Sequence, residues 1–350
     1  MLKLFTSKSK WSYALRGFLC VLLLTFFSAC GYFSNDDTLS TCSNIRDSDL
    51  GAVIFDCTNK KIPDSEVNSE QVNWLKLSKE KYIKFNGIAR YNSCSAALLK
   101  TTPDETLGPE VPAYLLTNGH CIKTSSGMIE GRGYYFDIPG TARRNTDFNL
   151  FYDSNDDEVI QVRDKTVHVA SMDNTDVAIV ELDVTMKELT DLGLNSYPLA
   201  DEVASDQEVL NVGFPASGVV DVVMRASKSK LLGRADIKED IYHFGNSYRH
   251  NCSIVGGSSG SAILDFMTHS IVAVNNTTVN DSSHYRECTM HTPCEVSDSG
   301  ETSLNLNVNY AQPVIFLKSC FNDKGVFDRS LESCPLKNEE NQYIPQNTLL

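Results

Sequence analysis

The stretch Gly256-Gly257-Ser258-Ser259-Gly260-Ser261 runs straight into the apolar Ala262-Ile263-Leu264. It dictates a tight turn followed at once by a buried strand. Glycine admits positive φ and leaves neighbouring amide N–H groups unobstructed. A serine held in such a turn presents its hydroxyl beside free N–H donors. Acyl transfer needs that pairing, a nucleophile next to donors for an oxyanion. A hairpin loop of small residues satisfies the same letters, because turn chemistry favours Gly and Ser by itself. The two readings separate on whether the rest of the chain supplies a base and an acid to orient it.

Length and charge narrow the setting. The 350 residues, 41% hydrophobic and 22% charged, suit one large or two moderate globular domains. A net charge of −14 argues against nucleic acid or an anionic membrane surface as a partner. The N-terminus reads as a targeting segment. Lys3, Lys8, Lys10 and Arg16 accompany an apolar run from Phe18 to Phe27, too short for a comfortable transmembrane helix. Ser28-Ala29-Cys30 then resembles the bacterial lipobox, whose cysteine is lipidated after cleavage. Phe27 stands where leucine is usual, and ordinary signal-peptide cleavage over residues 1–29 is the alternative. Both readings export the mature protein. Lipidation at Cys30 tethers it to a membrane of the bacterial cell envelope; without it the protein is periplasmic or secreted.

Export makes disulfides the default use of cysteine. Of the 11 cysteines, Cys20 leaves with the leader. An odd set remains if Cys30 is lipidated, an even set if it is not. Residues 31–80 are polar and acidic and read as a stalk, with Cys42 and Cys57 stapling a local loop and a short helix between Val67 and Lys81. Alternation at period two starts at Tyr82-Ile83-Lys84-Phe85 and continues to Tyr91, which predicts the first strand. Short apolar strands then recur between turn residues, among them 94–99, 113–117, 149–152, 177–182, 208–213 and 262–265. Many short strands and few helical periods indicate an all-β sandwich or barrel. The polar stretch Thr190–Asp206 falls between two halves, about 81–190 and 200–318. Val314–Lys318 reads as a short C-terminal helix, and 319–350 as a tail stapled by Cys320 and Cys334.

Two fragments meet the demand set by the serine turn. Leu116-Thr117-Asn118-Gly119-His120-Cys121 places a histidine at the end of an apolar strand. Thr175-Asp176-Val177-Ala178-Ile179-Val180 places a carboxylate just before one, where it can be buried while the strand is anchored. Asp173 is the local rival, with no apolar strand following. In order and with these flanks, His120, Asp176 and Ser259 resemble the chymotrypsin/trypsin-like serine protease family. Its L-T-A-A-H-C is similar to 116–121, its N-D-I-A-L-L to 175–180, its G-D-S-G-G-P to 257–262, and its C-G-G-S-L-I to Cys94-Ser95-Ala96-Ala97-Leu98-Leu99. The bacterial exported branch, with glutamyl endopeptidases and HtrA-like enzymes, is the nearest in character.

The resemblance implies two six-stranded antiparallel β-barrels over residues 81–318, with the three side chains meeting in the cleft between them. It implies that Ser259 attacks a peptide carbonyl, His120 moves the proton, and Asp176 orients the imidazole. The amides of Gly257 and Ser259 would form the oxyanion hole, and a Cys94–Cys121 bridge would pin the strand carrying His120. Cys252 would bridge to Cys288 or Cys294 beneath the pocket. Ser253, Val274 and Asn275 fall where the specificity pocket would lie, with nothing acidic among them. The substrate is then a protein or peptide, and no metal or organic cofactor is needed. Ser258 departs from the family's acid, which pairs with a newly cut N-terminus in trypsin-like zymogens, so the cleft is expected to be preformed, or gated by removal of residues 31–80 if gated at all.

Two other patterns have competing uses. His284, Cys288, His291 and Cys294 carry zinc-like spacing, but in an exported chain the cysteines are expected in disulfides. The acidic run Asp153–Glu158 has the composition of a calcium loop but lacks a full ligand set and reads as a solvated turn. A catalytically silent protease-like binding module and a serine esterase are the functional alternatives. The order His, Asp, Ser counts against the α/β-hydrolase type of esterase, in which the serine comes first.

Overall fold

The computed structural model describes residues 43–47, 52–56, 75–103, 108, 110–124, 127–128, 134–140, 144–217, 221–278 and 287–336. Over these the chain is mostly β. Two rings of six strands carry the fold. The first comprises β1 (Ile88–Tyr91), β2 (Cys94–Lys100), β3 (Pro112–Thr117), β4 (Arg144–Phe148), β5 (Ile160–Ser171) and β6 (Val177–Thr185). The second comprises β7 (Glu208–Gly213), β8 (Arg225–Glu239), β9 (Tyr242–His250), β10 (Ala262–Asp265), β11 (Ile271–Thr278) and β12 (Asn309–Pro313).

Each ring is antiparallel and has the same connectivity. The first strand pairs with the second, the second with the third, and the third with the sixth. The sixth then pairs with the fifth, the fifth with the fourth, and the fourth closes on the first. In the second ring the same order runs through β7–β8, β8–β9, β9–β12, β12–β11, β11–β10 and β10–β7. Closure leaves no free ladder edge within either ring. The chain shows no sequence repeat to announce this duplicated topology.

Strands that look continuously apolar are so because both their faces are buried. In β6, Val177 and Ile179 enter one hydrophobic cluster while Ala178, Val180 and Leu182 enter another. Strand β2 divides the same way, Ala97 and Leu99 against Ala96 and Leu98. The first of these clusters also takes Leu210 and Val212 of β7 and Ala262, Leu264 and Val274 of the second ring, so it joins the two barrels. Each buried Leu, Ile or Val contributes about 1.5–3 kcal/mol by leaving water.

Several elements differ from the sequence expectation. Tyr82–Phe85 is not the start of a strand: Lys79–Tyr82 is one helical turn and Ile83–Phe85 a 3-10 turn, closed by Asn86 N–H donating to the Ile83 carbonyl. Residues 149–152 are not a strand either. The strand lies earlier, at Arg144–Phe148, and Asn149 leaves it with a φ of 66°. In the segment read as a stalk, Ser43–Asp47 pairs with Ala52–Asp56, and Asp56 pairs with Lys228 of β8. Between the barrels a helix, Met186–Asp191, is closed by a reciprocal capping box of Thr185 and Glu188. In the acidic run, Glu158 accepts from Lys79 Nζ at 2.7 Å and from Asn155 N–H at 3.0 Å, so it serves its own turn and a lysine.

After Pro313 the chain forms a 3-10 helix, Ile315–Cys320, and the Cys320–Cys334 disulfide closes a cap over the first barrel. Phe321 and Phe327 lie edge-on to one another, and Phe321 meets the ring of Tyr114 in β3. The Phe327 amide donates to the buried Tyr114 hydroxyl at 3.2 Å. Burial pushes the Tyr114 phenol up to about 12 against the opposing effect of that bond. Tyr114→Phe therefore leaves a buried N–H without an acceptor. We expect a loss of about 1–3 kcal/mol in urea unfolding, because an orphaned donor costs its full desolvation.

Candidate active site

Strand β3 ends in Thr117 and Asn118, and a 3-10 turn over Gly119–Cys121 lifts His120 out of the sheet. Gly119 is required there: a Cβ would lie 1.9 Å from the Ser171 carbonyl oxygen. The Cys94–Cys121 disulfide, S–S 2.05 Å, ties this turn to the start of β2. Asp176 sits one residue before β6, which pairs with β3 from Thr117–Ala178 onward. Neighbouring strands thus deliver the histidine and the aspartate to one place.

Asp176 is fully buried, while the His120 side chain keeps 25% of its surface. The carboxylate grips the histidine twice. Oδ2 lies 2.6 Å from His120 Nδ1, and Oδ1 accepts the His120 backbone N–H at 3.0 Å. Asn118 Nδ2 donates to the Asp176 backbone carbonyl at 2.7 Å, which fixes the other side of the pair. This arrangement leaves Nδ1 as the protonated nitrogen and Nε2 as the acceptor. Burial pulls the His120 imidazole down, but the Asp176 charge and hydrogen bond outweigh it, aided by the charge of Glu239, so its pKa stands above the ordinary value. Asp173, the rival in sequence, lies in the preceding turn, where its amide bonds Ser171 Oγ at 3.2 Å.

The serine turn comes from the second barrel. Val255–Ser258 form a β-turn, Ser258 N–H donating to the Val255 carbonyl at 2.9 Å, with Gly257 at φ 96°. A Cβ on Gly257 would lie 2.7 Å from the Phe214 carbonyl oxygen and 2.8 Å from Ala216 N. The Gly256 carbonyl is turned into the 214–217 loop, accepting from Ala216 N–H at 2.8 Å and Ser217 N–H at 2.9 Å. With that carbonyl held aside, the amides of Gly257 and Ser259 donate to no other group among the described residues. Two N–H donors in this setting suit an oxyanion.

Three serines compete in the turn, and their contacts distinguish them. Ser258 is buried and its hydroxyl accepts the Val255 N–H at 3.2 Å. Ser261 is buried and donates to Asn211 Oδ1 at 2.6 Å. Ser259 alone is partly exposed, and among the described residues no hydrogen bond engages its hydroxyl, from His120 or any other group. Such contacts commonly tighten only once a substrate is bound. Gly260, next to it, packs onto the strand end that carries His120: a Cβ would lie 2.2 Å from Thr117 Oγ1 and 3.2 Å from Asn118 N.

Ser95 is the residue that sequence reasoning missed. Its amide donates to the Ser259 carbonyl at 2.8 Å. Its hydroxyl donates to the Gly257 carbonyl at 2.9 Å and accepts from Phe214 N–H at 2.8 Å. Its own carbonyl accepts from Thr117 Oγ1 at 2.7 Å. The signal was its place beside Cys94. Asn275 braces the turn from the other side. It exchanges backbone bonds with Gly260 and Ser261, and its Nδ2 donates to the Ser258 carbonyl at 3.2 Å. Ser253 is buried with its amide on Ser227 Oγ at 3.1 Å. Val274 points into the cluster shared with Ala262 and Leu264.

The expected Cys252 bridge is not formed. Cys288 and Cys294 bond to each other across a short turn, Cα–Cα 4.9 Å, so neither sulfur remains for a partner or for zinc. Cys252 is a buried thiol that donates to the Ser227 carbonyl at 3.6 Å. Among the described residues, the one group of His, Cys or carboxylate ligands close enough to share a metal is Cys94, His120 and Cys121, and its two sulfurs are joined in the disulfide. Cys30, Cys42, Cys57 and His284 lie outside the described residues.

Ser95→Ala removes the hydroxyl that joins Gly257 to Phe214. We expect the rate of fluorophosphonate capture at Ser259 to fall by about tenfold, the share of one mis-set oxyanion donor, with the far-UV circular dichroism unchanged.

No curated protein matches the chain in sequence. Among solved structures, a Glu endopeptidase is 16% identical, with 72% of this chain and 96% of that chain covered and a TM-score of 0.42. The MamO protease domain from Magnetospirillum magneticum is 12% identical over 66% of this chain and 94% of its own, TM-score 0.38. The HtrA-type protease AlgW is 15% identical over 63% of this chain, TM-score 0.36, and the chain spans 48% of its length. The family model described as "Trypsin-like peptidase domain" matches residues 103–274, a stretch that contains His120, Asp176 and Ser259. The chain carries a trypsin-like peptidase domain.

Proposed function

We infer that this protein is an exported serine endopeptidase that works through His120, Asp176 and Ser259. The observation that carries the reading is the double grip of a fully buried Asp176 on His120, beside a glycine turn with two unused amides. Ser259 Oγ attacks the scissile carbonyl while His120 Nε2 takes its proton. The developing oxyanion is met by the amides of Gly257 and Ser259. His120 then gives the proton to the leaving amine, and an acyl ester remains on Ser259. Water, deprotonated by the same imidazole, releases the acid product. Asp176 holds the ring and stabilises its charged form.

The substrate class is protein or peptide. The leader, with Cys30 at its lipobox-like end, supports a bacterial envelope protein tethered by lipid. Incorporation of labelled palmitate, lost in Cys30→Ser, is the expected result; equal labelling of the variant removes the tether.

A fluorophosphonate probe tests the triad. Native protein should be labelled, and Ser259→Ala and heat-denatured protein should not. Labelling with ester but no peptide hydrolysis selects an esterase, and no labelling between about pH 6 and 9 selects a silent binding module. The base must be neutral to act, and its pKa is raised. The labelling rate should therefore rise with pH through a midpoint above the ordinary imidazole value of 6.5 and fall away below it.

A further inference from the structure

Of the three disulfides among the described residues, two are sealed in the fold. Cys94 and Cys121 are 7% and 2% exposed, and Cys320 and Cys334 are wholly buried. The third differs. Cys294 is buried, but Cys288 is partly exposed, and Met290 between them is 46% exposed. Its loop also bends against its own residues. Cys288 has a φ of 58° and His291 a φ of 63°, left-handed backbone that residues with side chains adopt at a cost. The bridge holds that bend closed, helped by Thr292 N–H donating to the Thr289 carbonyl at 2.9 Å. A disulfide within reach of water that closes a strained turn is the kind that exchanges with thiols, while a sealed one resists.

The loop clasps the β8–β9 hairpin. Asp240 N–H donates to the Cys288 carbonyl at 2.7 Å, and His291 N–H donates to Glu239 Oε1 at 2.8 Å. Beyond the bridge, Cys294–Val296 pairs with Asp236–Lys238 of β8. The hairpin is seated in turn on the segment that leads into Asp176. Gly245 N–H donates to the Asn174 carbonyl at 3.0 Å, and Phe244 bridges to Asn174. Asn174 is itself left-handed, with a φ of 58°, two residues before the carboxylate that grips His120. From Asp240 to Asn174 the links are the ladder pairs Glu239–Tyr242, Lys238–His243 and Ile237–Phe244. The path from Cys288 to the Asp176 segment is therefore made of hydrogen bonds and backbone pairing throughout.

We propose that Cys288–Cys294 is a thiol-exchange site, and that opening it slackens the hold of the hairpin on Asn174 and with it the placing of Asp176 against His120. The reductant is a dithiol. Its thiolate attacks Cys288 Sγ, the reachable sulfur. The S–S bond breaks, and Cys294 Sγ leaves as a thiolate and takes a proton. The second thiol of the reductant then attacks the mixed disulfide. It closes a new disulfide with its partner sulfur, and Cys288 leaves as a thiolate and takes the second proton. Two electrons pass from the dithiol to the protein, and re-oxidation returns them. The exchange site stands on the loop geometry; its effect at Ser259 rests on the triad reading above.

Titration of the oxidised full-length chain with dithiothreitol tests this, with free thiols alkylated and mapped by mass spectrometry. Cys288 and Cys294 should open at a dithiothreitol concentration about tenfold or more below that needed for either sealed bridge. Over that window fluorophosphonate capture at Ser259 should slow by about tenfold and recover on re-oxidation. Hydrogen exchange at the Gly245 amide should quicken over the same window. Protein carrying Cys288→Ser and Cys294→Ser should show slow capture and fast exchange from the start, with no further response to dithiothreitol in that range. If that variant does not fold, the titration of the parent decides alone. The proposal is overturned if the pair opens together with or after the sealed bridges. It is equally overturned if the pair opens first while Gly245 exchange, or the capture rate of an active parent, stays the same. A parent that captures no probe in either state sinks the triad reading, and Gly245 exchange then still decides this one.

Discussion

The site depends on two barrels being held in register, and Ser95 is where the serine turn is bonded to the strand end that carries His120. It belongs to the first barrel, yet its amide and hydroxyl hold the carbonyls of Ser259 and Gly257 in the second. Its own carbonyl is held by Thr117, three residues before His120. Its chain neighbour Cys94 is bonded to Cys121, one residue after His120. A shift of one barrel against the other would break hydrogen bonds at both ends of the prospective reaction path. The shared hydrophobic cluster supplies the adhesion between barrels without direction. Ser95 supplies the direction, because hydrogen bonds fall off steeply with angle and apolar contact does not.

Electrostatics then act on a geometry already set. Asp176 has no exposed surface, so its charge is felt by His120 with little screening by water. The cost of burying that carboxylate is offset by the two bonds to His120 and by the anchoring of its backbone through Asn118.

The parts legible in the sequence were those where chemistry demands a residue type next to an apolar strand. His120 after Leu115-Leu116, Asp176 before Val177-Ala178-Ile179 and Ser259 before Ala262-Ile263-Leu264 all have that form. Strands with two buried faces were equally plain. Strand β8 was not, because Lys230, Arg234, Asp236 and Lys238 break its apolar pattern and its length exceeds any local turn signal. Alternation also misled at Tyr82–Phe85, where Tyr82 and Phe85 are buried from a helical turn, not from a pleat. Cys252 was assigned a partner on family likeness, while the short separation of Cys288 and Cys294 had already made them partners for one another. Ser95 left little trace, since its role exists only between elements far apart in the chain.

The self-closed turn at Ser258 has a consequence for where in the chain its shape is decided. Its hydroxyl caps the Val255 amide from within, so the loop does not wait for a charged terminus to arrive from elsewhere. The shape of the turn is thus set by residues 255–258 and the loop that receives the Gly256 carbonyl, all within the second half of the chain.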